Sequence, residues 1–176
     1  TKNQERNKCK SKRFIFLIEV NRMKIGVIFD DFAKSDKNYT LMDKINKFVE
    51  KSNDEICGFL TNISHKVIDT FFAYSNTSDI AHFNNGLIVA TSLESADAMN
   101  KTSVNSQKCF YIWNMEWLGQ PFNFYGVHNI LSNPNIKKIV RTQLQADIIK
   151  NNFNVEVDGI DEDFNLENIY EICQRE

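Results

Sequence analysis

The chain has 176 residues, a formal net charge of −2 and four scattered cysteines. That length supports one domain with its own core and is short for two. The near-neutral balance leaves no basic footprint for nucleic acid, no apolar run is long enough to span a bilayer, and no Cys or His spacing suits a zinc ribbon, a redox dithiol or another metal site.

Residues 1–22 carry seven Lys/Arg against Glu5 and Glu19, so the remainder is acidic. A basic leader can touch a membrane surface or nucleic acid. The strand pattern, however, starts afresh at Met23, and the chain begins at Thr1. Residues 1–22 therefore read as a leader outside the core, with Met23 as a candidate natural start. Cys9, Cys57, Cys109 and Cys173 lie far apart in sequence, which suits a reducing cytoplasm. Cys57 and Cys109 fall within apolar strand candidates, where cysteine acts as a small buried hydrophobe.

From Met23 the elements alternate. Lys24–Phe29 is a near-continuous apolar run, as in a parallel strand covered on both faces. The polar turn DDFAKSDKN follows, then Leu41, Ile45, Phe48 and Val49 at helical spacing, with Thr40 or Asp36 as the expected cap. Residues 56–60 form a second strand and the aromatic-rich residues 70–75 a third. Residues 77–83 predict a short helix closed by Gly86; a hairpin through Asn85-Gly86 is the alternative. The helix is preferred, because the apolar residues 87–91 need a crossover before them. Residues 92–100 predict a helix capped by Ser92, with Ser95 and Ala96 allowing close packing. Residues 109–113 are the fifth strand, 127–131 a helix ending before Asn133-Pro134, 137–140 the sixth strand and 154–157 the seventh. Such alternation predicts a three-layer, Rossmann-like α/β domain over residues 23–164, with a mostly parallel sheet of six or seven strands and the first strand central. Residues 165–176 predict a helix, with Leu166, Ile169, Tyr170 and Cys173 at helical spacing, or the start of a linker.

Ligands of such sheets sit beyond the carboxyl ends of the strands. That rule selects Asp30 and Asp31 after the first strand, and Thr91, Ser92 and Glu94 after the fourth. Trp113, Asn114, Glu116 and Trp117 follow the fifth, and Arg141, Thr142 and Gln143 the sixth. In YIWNMEW, two Trp flank a carboxylate. Aromatic faces stack on sugar rings, and Glu116 beside apolar rings is a candidate general base. The plainer reading packs both Trp under a loop and leaves Glu116 solvated. Asp30-Asp31 suits neither a dehalogenase-type phosphatase, which needs a second Asp two positions on, nor a phospho-receiver, which needs a Lys after the fifth strand. Both acids can also simply cap the next helix. No GxGxxG, GxxxxGK[ST] or GxSxG occurs.

The final third runs KKIV, RTQLQADIIKNNF, NVEV and DGIDEDF, with Gly159, Ile160, Asp161 and Phe164 in the last loop. This segment resembles the end of the N-terminal Rossmann-like domain of GT-B glycosyltransferases. There a strand leads to a Ser/Thr turn, a helix, a strand and a Gly-Val/Ile-Asp-x-x-x-Phe-like loop that enters the sugar-nucleotide domain. The resemblance implies an acceptor-side half that acts with a nucleotide-sugar donor, an unidentified acceptor, and a second domain or chain. No metal or other cofactor is expected. Thr142 stands where the family has its helix-capping hydroxyl. Two features depart from the family: the first loop lacks the glycine pair that approaches donor phosphates, and Asn114 and Glu116 occupy the region where retaining members carry a His. A non-catalytic α/β binding module or partner subunit is the other reading.

Overall fold

A computed structural model of the chain describes residues 22–30, 32, 35–61, 69–118 and 124–175. The leader over residues 1–22, except Arg22, and the candidate site residue Asp31 lie outside the described residues. Among the described residues seven strands, β1 (Lys24–Phe29), β2 (Glu55–Leu60), β3 (Ala73–Asn76), β4 (Leu87–Ala90), β5 (Gln107–Ile112), β6 (Ile136–Val140) and β7 (Gly159–Ile160), form one sheet. Its order is β3-β2-β1-β4-β5-β6-β7, and every neighbouring pair is parallel. The expected Rossmann-like α/β layout is thus present, with β1 inside the sheet.

Among the described residues, five α-helices cover the two faces: α1 (Asp36–Lys51), α2 (Leu93–Lys101), α3 (Phe124–Leu131), α4 (Gln143–Phe153) and α5 (Leu166–Gln174). Strand alternation divides the core accordingly. Ile25, Val27 and Phe29 of β1, with Cys109 and Tyr111 of β5, pack against Leu41, Met42 and Ile45 of α1 and Leu166, Ile169, Ile172 and Cys173 of α5. Ile28, Phe110 and Ile112 face the other way, toward Ala96, Met99, Ile130, Ile149 and Phe153 of α2, α3 and α4. Burial on both faces explains why the strands read as continuous apolar runs. The tail over α5 is therefore a core helix. Gly26 has a packing reason: a Cβ there would stand 2.7 Å from the Phe59 ring.

Three expectations need correction. Helix α1 is capped by Ser35, whose Oγ accepts from the Asn38 N–H at 3.1 Å, and not by Asp36 or Thr40. Asp36 opens the first turn, where its charge suits the helix dipole, and the Thr40 hydroxyl bonds back to the Asp36 carbonyl. The short helix before β4 is a 3₁₀ helix over Thr77–His82, stopped at Phe83 rather than Gly86. The seventh strand is not 154–157. Asn154 ends α4 in the left-handed conformation (φ 54°), and pairing with β6 begins where the Asp158 N–H meets the Lys138 carbonyl at 2.7 Å. Val155 and Val157 alternate because they pack on the α2–α4 side of the core.

Candidate functional site

The carboxyl ends of β1, β4 and β5 bring three predicted positions together, and a residue missed by the sequence reading joins them. Asp30 follows β1, and its Oδ1 accepts a short hydrogen bond from the Ser92 hydroxyl. Its Oδ2 lies 3.2 Å from Lys37 Nζ, in the first turn of α1. Lys37 also donates to the Thr91 carbonyl at 3.4 Å and stands 3.9 Å from Glu116 Oε1. One ammonium thus faces two carboxylates. The Lys37 side chain is 15% exposed, against 34% for Asp30 and 33% for Glu116. The pairs are open enough to reach a ligand and sheltered enough to escape full screening.

Glu116 lies in a 3₁₀ turn over Glu116–Leu118. Burial pushes its carboxyl above the ordinary carboxylate range. The Lys37 charge opposes that shift, nearby Asp30 reinforces it, and the Leu93 N–H opposes it. A carboxylate raised this way is better matched to taking a proton near neutral pH.

Ser92 has two roles. It caps α2 in a reciprocal capping box with Ser95, and it holds Asp30. Ser95 therefore serves hydrogen bonding as well as close packing. Thr91 is buried, and its hydroxyl bonds the Ile28 carbonyl at 2.9 Å, tying β4 to β1. Its carbonyl is what it offers to Lys37. Asn114 is exposed in the turn after β5, and Glu94 is exposed in the first turn of α2.

The two tryptophans separate. Trp113 rests on Tyr111 and Phe164, at ring distances of 5.9 and 6.4 Å. Its ring is overlain by the Arg141 guanidinium at 4.5 Å. The group presented here is the cation more than the indole face. Arg141 pairs with neither Glu116 nor Asp161; its Nε donates to the Glu162 carbonyl at 3.1 Å. Trp117 is buried away from the cluster, edge-on to Phe153 of α4. Trp117 packs against α3 and α4 rather than under a loop, because a 3₁₀ turn swings it onto that face.

Thr142 caps α4, as the resemblance implied, and Gln145 completes its capping box. Gln145 Nε2 also reaches the Trp113 carbonyl at 3.3 Å, joining the turns after β5 and β6. Gln143 is exposed and bonds Asp147. The loop after β7 is held from beneath. The Tyr111 hydroxyl donates to the Asp161 carbonyl at 2.6 Å and accepts from the Phe164 N–H at 3.2 Å. Burial, helped by the Asp161 charge, holds the Tyr111 phenol well above its usual range. The Asp161 carboxylate accepts from the Asn165 N–H and from Asn168 Nδ2. Phe164 is buried at φ 54° with its ring edge-on to Tyr111.

The strand-end rule does not reach Lys37, which enters from the helix that follows β1. The signal available was a lysine one residue into a helix that packs beside Asp30. Among the described residues, no group of three or more His, Cys, Asp or Glu is placed to hold a metal ion, and no helix is long and apolar enough to cross a membrane. No family model, curated protein or solved structure matches the chain.

Proposed function

We propose that this domain forms the acceptor-side half of a GT-B-like glycosyltransferase, which transfers a sugar from a nucleotide-sugar donor held by a second domain or chain. The observation that carries the reading is Glu116, raised by burial and flanked by Lys37 and Asp30 at the carboxyl edge of an all-parallel sheet. In the proposed step Glu116 takes the proton of an acceptor hydroxyl as that oxygen bonds to the anomeric carbon of the donor sugar. The bond from that carbon to the nucleotide breaks, and the nucleotide leaves with the electron pair. Lys37 and Arg141 supply positive charge beside the reacting groups. The Thr142 cap of α4 and the Asp161–Phe164 loop after β7 support the resemblance in the final third of the chain, although no strand forms over 154–157.

One observation favours the other reading, a non-catalytic binding module or partner subunit. Asp30 is already satisfied by Ser92 and Lys37, so the cluster can serve simply to join three loops.

The test is to incubate the purified chain with a panel of nucleotide sugars and simple glycoside acceptors and to follow nucleotide release. The half-enzyme reading expects no release from this chain alone, since one wall of a cleft does not position both substrates. Sustained release would place a complete active site within these residues and overturn it.

A further inference from the structure

At the opposite edge of the sheet, where β4 and β5 begin, lies a cleft of about 410 Å³. Its size is in the range of small-molecule sites. Among the described residues lining it none carries a charge, and four are amides: Asn85, Asn105, Gln107 and Gln174. Tyr170 adds a hydroxyl, while that of Ser106 is engaged by the Phe83 carbonyl and the Gly86 N–H. We infer that this amino-edge cleft binds a neutral oligosaccharide, at a site separate from the Asp30–Lys37–Glu116 cluster.

The amides are arranged in two pairs. Asn105 Nδ2 donates to Asn85 Oδ1 at 3.2 Å, and Gln174 Nε2 donates to Gln107 Oε1 at 2.8 Å. Each pair orients both of its members and uses one donor and one acceptor. What remains in each pair is an amide NH₂ and an amide oxygen. The backbone beneath is fixed. The Asn85 N–H bonds the Asn105 carbonyl at 2.7 Å, the Gln107 N–H bonds the Gly86 carbonyl at 2.9 Å, and Ser106 Oγ donates to the Phe83 carbonyl at 2.7 Å. The first pair therefore stands on a rigid double loop, and α5 carries Gln174 and Tyr170 on the far wall.

This lining selects its ligand by elimination. The described lining offers a charged ligand no countercharge in exchange for the water it gives up on contact. An apolar ligand would strip water from four amides and leave them without partners. A sugar hydroxyl both donates and accepts, which matches amide pairs that retain both an NH₂ and a carbonyl oxygen. A peptide backbone also donates and accepts, but its side chains need apolar pockets that Val104 alone does not provide. The inference does not rest on the acceptor-side reading, because the two sites lie at opposite edges of the sheet.

The test is an NMR titration of the ¹⁵N-labelled chain with maltotriose, cellotriose and chitotriose, with a neutral tripeptide alongside. We expect at least one trisaccharide to shift the side-chain amide signals of Asn85, Asn105, Gln107 and Gln174 with a Kd of about 1 mM or tighter. The double variant Asn105→Ala/Gln174→Ala should weaken that binding about tenfold or more. Both positions are exposed, and retained spectral dispersion will show that the variant folds. Glu116→Gln should leave the binding unchanged. No shift of these amides by any trisaccharide, equal binding by the double variant, or a response to the tripeptide alone would overturn the inference. Loss of binding in Glu116→Gln would also overturn it, by placing the sugar at the other edge.

Discussion

Lys37 Nζ lies 3.2 Å from Asp30 Oδ2 and joins the first turn of α1 to the end of β1. The same ammonium faces Glu116 at 3.9 Å, so it holds both acids in one cluster. Burial raises the Glu116 carboxyl, and Lys37 is the first influence that opposes the rise. Lys37→Met should therefore move the Glu116 titration further upward, as read from its side-chain carboxyl carbon by NMR. An unchanged midpoint would contradict the pairing.

The raised Glu116 carboxyl also makes stability depend on pH. Its folded pKa exceeds its unfolded one, so its favourable contribution is complete below the unfolded pKa, about 4.3. That contribution is lost as pH rises through the folded value. Glutamine mimics the protonated acid at every pH. The stability of Glu116→Gln relative to the parent should be flat in acid and rise toward neutrality. Urea denaturation across that window checks it, and a pH-independent difference would be the contrary result.

Tyr111→Phe removes the hydroxyl that serves both the Asp161 carbonyl and the Phe164 N–H. Two buried backbone groups would then lack a partner, and the expected cost is about 1–3 kcal/mol. Hydrogen exchange at the Phe164 amide should accelerate more than at β1 amides, because the loosening is local. Unchanged stability together with unchanged exchange would show that the loop is held by other contacts.

Gly26→Ala should destabilise by about 1–3 kcal/mol, since the new methyl would meet the Phe59 ring at 2.7 Å within a close-packed sheet face. Thermal denaturation measures this, and a Tm equal to the parent's would mean that the ring yields freely.

The fold was legible because burial on both sheet faces writes long apolar runs into β1, β4 and β5, and because the helices between them keep one apolar stripe. The errors arose where local chemistry outweighs pattern. Ser35 took the α1 cap from its neighbours because its backbone is extended there while its hydroxyl reaches the Asn38 N–H. Val155 and Val157 imitate a strand, but the left-handed turn at Asn154 delays pairing until Asp158. In the site, the strand-end rule found Asp30, Ser92 and Glu116 because a parallel sheet gathers strand ends on one edge. It missed Lys37, since a helix residue reaches that edge only through a helix–strand packing angle that spacing does not encode. It also grouped Trp117 with Trp113, although a 3₁₀ turn between them sends the two rings to different faces.

The central claim is that the Asp30–Lys37–Glu116 cluster receives a hydroxylated acceptor. The most direct measurement is a titration of the ¹⁵N-labelled chain with methyl glycosides of glucose, galactose, mannose and N-acetylglucosamine, following backbone amides at both edges of the sheet. The account predicts that at least one glycoside shifts the amides of Asp30, Ser92 and Glu116, and that Lys37→Met reduces the response. Shifts confined to Asn105 and Gln107 would support the amino-edge cleft and contradict an acceptor site at the cluster, as would the absence of any shift at Asp30, Ser92 and Glu116.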